Sequence, residues 1–531
     1  MIKSLLKEFI LDKYPGVDFD VLIPPNPERG DYSINLAFVL AKKNNEDPIE
    51  MALKLATNFI KNEEFKNYFS KIESVRGFVN FYLSEEFLKK ELLKIIEEKE
   101  NYGSGKNKKF DINLEFVSAN PTGPPTVGNA RAAAYGDTLG NILKKTGNEV
   151  TKEYYINDVG VQVDKLAKSE INIDMENRGL EPKYKEEGLY KGSYMIGSTL
   201  ATGAVINKHL DEENFEKVKR VAIENHVELA KKALENLGVK FDEWFHESEL
   251  HERGEVEQTL ERLKGAGNTE EKEGALWFKF GNNQEAVLVK SDGNKTYLMN
   301  DIAYSMNKLE KRKFDKAINI WGTDHHGDVA RLLAGVAVLG HEGKLEILLH
   351  QLVLLKQKDE RLKISKRAGN LVLLEDLIKD VGKDAVRFFF LAKDLNTHME
   401  FDVDLAKDQS NKNPVYYIQY AYARLNQIFA KINDVRDANP SLLKEPEEII
   451  LIRKMVKFPE LISEIAQNYQ VHHLAQYAYD LASGFHNFYE KHRVVQENKE
   501  LEGARIILCR AVAIILKSCL ELMGISAPYK M

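Results

Sequence analysis

The stretch Asp111–Asp137 reads DINLEFVSANPTGPPTVGNARAAAYGD, and the reading of the chain starts there. Ile112, Leu114 and Phe116 alternate, so they share one face of a strand. A loop with Pro121, Gly123, Pro124, Pro125 and Gly128 follows, and Ala130–Lys144 then reads as a helix whose alanines let backbones pack closely. Strand, glycine-containing turn and helix N-terminus are an anion site in outline, because free N–H groups and the helix dipole both favour a phosphate. Gly128 has no Cβ and lets the main chain approach a ligand. Thr126 and Asn129 flank it with neutral hydrogen-bonding groups. An ordinary strand-to-helix turn in an α/β core accounts for the same letters, and this stretch alone leaves both readings open.

A second stretch breaks the tie. Lys356–Gly369 reads KQKDERLKISKRAG, and Lys363, Ser365, Lys366 and Arg367 crowd polar and cationic groups beside Gly369. A basic loop suits a developing pyrophosphate charge; a solvated charged loop is the plainer alternative. Together the two stretches resemble the signature motifs of class I aminoacyl-tRNA synthetases. The first, usually His-x-Gly-His, stands here as Thr126-Val127-Gly128-Asn129. The second, usually Lys-Met-Ser-Lys-Ser, stands as Lys363-Ile364-Ser365-Lys366-Arg367. The surrounding words SANPTGP and SKRAGN are similar to those of arginyl-tRNA synthetases.

The resemblance implies an α/β, Rossmann-like catalytic domain with a small α+β N-terminal domain and an all-α C-terminal domain. Residues 1–106 correspond to the N-terminal, tRNA-elbow-binding part. There Tyr32, Ile34, Leu36 and Phe38 alternate as a strand, and Val79, Phe81 and Leu83 as another. Tyr32 and Asn80 are its tRNA candidates, beside Asp31, Arg76 and Tyr82; an aromatic face on a small sheet can stack an unpaired base, while core packing is the alternative. Residues 107–395 are the expected catalytic domain, with a charged helical insertion near 172–273. After it the sheet is expected to resume in GALWFKF, AVLVKS and TYLMNDIAYS, then in AINIWGTDHHGD. Residues 396–531 read as almost entirely helical and resemble the family's anticodon-binding domain, with Tyr420 and Arg424 as tRNA contacts on the lead-in helix.

The implied reaction joins arginine to tRNA(Arg) at the expense of ATP. The arginine carboxylate attacks the α-phosphorus, and a terminal ribose hydroxyl of the tRNA then takes the arginyl group. Neither step needs a covalent enzyme intermediate, so the work is positioning and charge stabilisation. Thr126, Gly128, Asn129, Lys363, Ser365 and Lys366 are the catalytic candidates, and Gly322 and His325 join them at ATP. Thr126 departs from the usual His and offers one hydroxyl without charge. Arginine, a planar cation, calls for carboxylates and an aromatic face. Glu115, Ser118 and Asn120 at the end of the first strand, Tyr297 and Asp301 in TYLMND, and Asp324 are its candidates. Glu115 as partner of a buried Lys or Arg, and Asp301 as a helix N-cap, are the alternatives. Adjacent His325 and His326 chelate poorly from a strand, so one is expected at the nucleotide and one packed. Magnesium is expected with ATP, held mainly by phosphates and water.

Composition fits this reading. The chain has 531 residues, 43% hydrophobic and 30% charged, enough for several domains. A net charge of -7 argues against generic DNA binding but allows a local basic groove. With 2 cysteines, a disulfide framework is excluded and a reducing cytoplasm expected. The N-terminal MIKSLLKEFILDKYPG is amphipathic, and the apolar run Ile506–Ile525 carries Arg510, Lys517 and Glu521, so neither reads as a membrane segment. A monomer is expected. The rival readings are a class I synthetase for another amino acid and a synthetase-like tRNA-binding regulator.

Overall fold

The computed structural model describes residues 2–24, 26–105, 108–190, 195, 212–281, 284–358, 360–362, 372–432 and 439–531. The chain opens with the helix Ile2–Lys13, which buries Ile2, Leu6 and Ile10 on one stripe. Four antiparallel strands follow: β1 (Val21–Leu22), β2 (Tyr32–Ile34), β3 (Phe69–Val75) and β4 (Phe78–Leu83), in the order β1-β2-β4-β3. The strand expected over 32–38 stops at Ile34, because Leu36–Asn44 is a helix that buries Leu36, Ala37, Leu40 and Ala41. Apolar residues at i, i+4 and i+5 override the apparent alternation. Asn45, in the left-handed conformation at φ 56°, ends that helix.

The central sheet holds β5 (Asp111–Phe116), β6 (Glu149–Ile156) and β7 (Glu243–His246). The chain then leaves it for a separate antiparallel sheet, β8 (Thr269–Lys272), β9 (Ala275–Phe280) and β10 (Gln284–Val289), and returns with β11 (Lys316–Gly322) and β12 (Leu345–His350). The five central strands are parallel, ordered β12-β11-β5-β6-β7. Two sequence expectations change here. The span 172–273 contains β7, a strand of the central sheet, and GALWFKF and AVLVKS form their own sheet. TYLMNDIAYS is the helix Tyr297–Met306, not a strand; the Thr296 hydroxyl caps it by accepting from Met299 N at 3.4 Å.

Beyond the central sheet, β13 (Val353–Gln357) pairs antiparallel with β14 (Glu360–Leu362) and parallel with β15 (Met399–Asp402). β15 is thus a strand inside the stretch read as helical. Long helices complete the chain, among them Pro414–Phe429, Pro446–Val456, Phe458–Asn468, His472–Lys491 and Lys499–Leu522. No helix among the described residues is long and apolar enough to cross a membrane.

Two packing features hold the helix Val127–Lys145 in place. It presses onto the sheet through glycines: a Cβ at Gly136 would lie 2.3 Å from the Phe116 ring. Only glycine permits that approach. The same helix is tied to the C-terminal helices by the fully buried Arg387, which donates to Asp137 Oδ2 (2.5 Å), Met523 O (2.5 Å) and Leu237 O (3.2 Å). Lys152 Nζ reaches the other Asp137 oxygen at 2.6 Å. The N-terminal block, meanwhile, docks on the C-terminal helices. Tyr32 Oη donates to Glu460 Oε2 at 2.8 Å, Lys3 N donates to Glu460 Oε1 at 2.8 Å, and Arg453 pairs with Asp31 at 3.1 Å.

Candidate active site

In the central sheet the chain runs outward from β5 in both directions, to β6 and β7 on one side and to β11 and β12 on the other. The loops after β5 and β11 therefore part at a switch point, where a crevice opens at the C-terminal strand ends. The loop after β5 begins with a backbone reversal that the sequence did not announce: Val117 and Ser118 have φ of 71° and 36°. A β-branched residue at positive φ is strained, and such strain concentrates at functional sites. Ser118 Oγ holds the reversal, donating to Glu115 Oε1 at 2.9 Å and accepting from Tyr155 N at 3.1 Å. Further along, Asn120 Nδ2 donates to Gln162 Oε1 at 2.7 Å.

The first motif forms the start of the helix Val127–Lys145, with Thr126 as its N-cap. Asn129 Oδ1 accepts from both Thr126 N (2.9 Å) and Thr126 Oγ1 (3.0 Å). The cap thus turns back on itself through Asn129, in the place of the usual second His. Lys363, Ser365 and Lys366 lie outside the described residues. The chain just beyond them is placed: Val127 N donates to Val372 O at 3.2 Å, and Leu374 N donates to Pro125 O at 3.0 Å. The chain from Val372 is therefore stitched to the first motif.

A cleft of about 2990 Å³ opens between these loops, β11 and the helix Tyr297–Met306. Thr126, Gly128, Asn129, Gly322 and His325 line it together with Glu115, Ser118, Asn120, Tyr297, Asp301 and Asp324. All the described nucleotide and arginine candidates are thus brought to one cavity. Gly322 ends β11; Thr323–His325 is a short turn, and His326 begins the helix His326–Val338. His326 is exposed, so the expectation that one of the two histidines packs fails: they are not on a strand. Among the described residues no group of three metal-ligating side chains occurs.

The arginine candidates differ in how they are held. Glu115 is buried, and its Oε2 accepts from the buried Lys308 Nζ at 2.6 Å, so the ion-pair alternative is what the structure contains. Asp301 does not cap a helix; it lies within Tyr297–Met306, and its carboxylate has no hydrogen bond or ion pair among the described residues. Burial first, and then the charges of Glu115, Glu247 and Asp328, push the Asp301 carboxyl well above the usual carboxylate range, while Lys308 pulls it down. Tyr297 stands exposed at the rim. The sequence reading missed Glu247, a buried acid on the cleft wall that accepts from Asn300 Nδ2 at 2.5 Å. The only signal for it was its place in FHESEL, just past the end of β7.

The tRNA candidates divide. Tyr32 and Asn80 are corrected: both are buried, Tyr32 with its hydroxyl on Glu460 and Asn80 with its Oδ1 accepting from Ser33 Oγ at 2.7 Å. Neither ring nor amide faces solvent, so neither can meet a base. Tyr420 and Arg424 are half-buried on the helix Pro414–Phe429. Arg424 donates to Tyr420 Oη at 3.0 Å, and the Tyr416 and Tyr420 rings lie parallel within 7° beside a groove that Lys412 also lines.

Residues 91–428 match the family described as tRNA synthetases class I (R), catalytic domain, so fold and cleft together define a class I aminoacyl-tRNA synthetase. Residues 1–83 match the arginyl tRNA synthetase N terminal domain, and residues 418–531 the DALR anticodon binding domain. The chain is 40% identical to the arginine–tRNA ligase of Carboxydothermus hydrogenoformans over 100% of its own length and 97% of that protein's. Against the Bacillus subtilis arginine–tRNA ligase the identity is 40% over 96% and 93%. In three dimensions it resembles the Thermus thermophilus arginyl-tRNA synthetase, with a TM-score of 0.81 over 100% of both chains at 22% identity, a likeness of fold. The chain belongs to the arginyl-tRNA synthetase family.

Proposed function

We propose that the cleft binds arginine and ATP side by side, and that Asp301 is the group that selects the cation. The protein is an arginine–tRNA ligase, an ATP-dependent enzyme. The observation that carries the assignment of the cleft is the Asp301 carboxyl, which has no hydrogen bond or ion pair among the described residues and is raised in pKa by burial and three further acids. A guanidinium supplies the charge that this cluster lacks and offers a planar fork of donors. In this reading Tyr297 covers the guanidinium, and Glu115, Ser118, Asn120 and Asp324 frame the amino acid. ATP lies along the start of the helix Val127–Lys145, against Thr126, Gly128, Asn129, Gly322 and His325. Lys363, Ser365 and Lys366 meet the departing pyrophosphate.

In the first step the arginine carboxylate oxygen bonds to the α-phosphorus and the bond to pyrophosphate breaks. In the second, a ribose hydroxyl at the tRNA 3′ end attacks the arginyl carbonyl and AMP leaves. The protein's part is alignment and oriented positive potential, since no nucleophile is needed. Magnesium enters with ATP, held by phosphate oxygens and water. Tyr420 and Arg424 contact the tRNA. We assign 1–106, 107–395 and 396–531 as the elbow-binding, catalytic and anticodon-binding parts of a cytoplasmic monomer. The test is ATP–pyrophosphate exchange with arginine, with and without tRNA(Arg), and with lysine as control. Exchange specific to arginine supports the reading; exchange with lysine at comparable rates would refute the selection by Asp301.

A further inference from the structure

Behind the cleft lies a fully buried cation. Lys308 has no exposed surface, and its Nζ donates to Glu115 Oε2 at 2.6 Å and to Asn319 Oδ1 at 3.0 Å. Glu153 Oε1 is 3.9 Å away, and the ammonium lies 4.2 Å from the centre of the Tyr304 ring. A buried ammonium needs such a set of partners. Lys308 is also carried by an unusual stretch of backbone, the π-helical turn Asn307–Lys311 that continues the helix bearing Tyr297 and Asp301. π turns are rare and recur at functional sites. Here the turn follows the helix carrying Asp301, and through Lys308 it reaches Glu115 on β5.

We propose that Lys308 is a positioning residue for arginine: its ammonium fixes Glu115 in the wall of the cleft as an internal ion pair, and so leaves Asp301 as the carboxylate to which the substrate cation binds. This rests on the reading of the cleft given above and deepens it.

The charges around the two groups are arranged for that division. Glu153, on β6, is occupied by Arg312 and by the Tyr304 hydroxyl, so it leaves Lys308 to Glu115. Glu247, from the helix Glu247–Glu252, is held by Asn300, and Asp328, from the helix His326–Val338, accepts from Arg331 at 3.2 Å. The neutral hydroxyls of Tyr155 and Tyr297 also feel Asp301. Lys308 is the cation that lowers the proton affinity of Asp301, against the three carboxylates that raise it. Without it, Glu115 becomes an uncompensated charge next to Asp301, and Asp301 holds its proton to higher pH. Arginine binding then weakens most on the acid side.

The experiment is a double-mutant cycle in tRNA arginylation with the full-length enzyme, using Lys308→Met, Lys308→Arg, Glu115→Gln and the double variant. KM for arginine, KM for ATP and kcat are measured between about pH 6 and about pH 8.5, on the side of the ordinary carboxylate range toward which Asp301 is raised. Lys308→Met is expected to raise the arginine KM about tenfold near the acid end and less near the alkaline end, with a smaller effect on the ATP KM. Lys308→Arg is expected to restore the pH profile. In the Glu115→Gln background, Lys308→Met is expected to have a smaller effect than in the wild type, because the ion pair is already absent and only the direct pull of Lys308 on Asp301 is left to lose. The double variant removes both charges together and keeps the question answerable should Lys308→Met alone fail to fold. Additive effects in the cycle, or a loss uniform in pH and shared by arginine and ATP, would overturn the proposal. An Asp301→Asn enzyme with the wild-type arginine KM would instead refute the cleft reading on which it rests.

Discussion

Replacing Asp301 by Asn should weaken arginine binding and stabilise the empty enzyme at once. The carboxylate faces the cleft without a hydrogen bond or ion pair among the described residues, and burial and neighbouring acids raise its pKa. An acid whose folded pKa exceeds its unfolded value, about 3.9 for Asp, keeps its proton longer in the native state. Stability therefore falls as pH climbs from the unfolded value through the folded one, and then levels off. Each unit of raise corresponds to about 1.4 kcal/mol at neutral pH. Asn is nearly the same size and carries no charge, so the variant should melt at a higher temperature than wild type near neutrality and lose the advantage in acid. On the binding side, a hydrogen bond to a charged group contributes about 1.5–3 kcal/mol. At about 1.4 kcal/mol per decade, the arginine KM should rise roughly 10- to 150-fold. The assays are calorimetric melting with and without arginine, at several pH values, and arginylation kinetics. Wild-type arginine at about 100 times its dissociation constant should add about 2.7 kcal/mol; the variant should gain far less at the same concentration. An arginine KM within about twofold of wild type, or a variant that melts lower at neutral pH, would refute the reasoning.

Thr126→Ala removes the cap hydroxyl and should lower stability by about 1 kcal/mol while kcat falls at least about tenfold; unchanged turnover would remove Thr126 from the ATP site. Arg387→Met leaves two carbonyls and one Asp137 oxygen without their donor, and chemical denaturation should show a loss of about 3–5 kcal/mol. Tyr32→Phe deletes a buried hydroxyl on Glu460 and should cost about 1–3 kcal/mol, with the tRNA KM unaltered; a raised tRNA KM would restore Tyr32 as a contact. Tyr420→Ala should raise the tRNA KM through lost stacking, about 1–3 kcal/mol per base, and leave pyrophosphate exchange with arginine at its original rate.

The unit β5–loop–helix was legible because three signals agreed: alternation in Ile112, Leu114 and Phe116, glycine and proline in the loop, and alanine where the helix meets the sheet. Elsewhere local signals misled. Tyr32–Phe38 alternates, yet only three residues pair, because Leu36 and Leu40 also satisfy a helical stripe. TYLMNDIAYS is rich in strand formers, but the Thr296 cap and the burial of Leu298, Met299, Ile302 and Ala303 make it a helix. β7 is four residues long, too short for any period to register. At the site, identities were legible and states were not. The sequence offered a buried Lys or Arg as one partner for Glu115 but could not choose it, nor foresee Asp301 without a partner among the described residues, since both depend on Lys308, 193 residues away from Glu115 and placed by a π turn.

The docking of the first strands on the last helices has a mechanical consequence. Glu460 takes its donors from Lys3 and Tyr32, and Asp31 takes the guanidinium of Arg453, so head and tail of the polypeptide, joined in sequence only through the catalytic domain, also meet directly. A fragment beginning at residue 107 would expose Glu460 with both donors gone and Arg453 without its acid. Seams that look separable along the chain are welded in space. Loosening of the first strands would register directly at Glu460 and Arg453 on the C-terminal helices, without passing through the catalytic sheet.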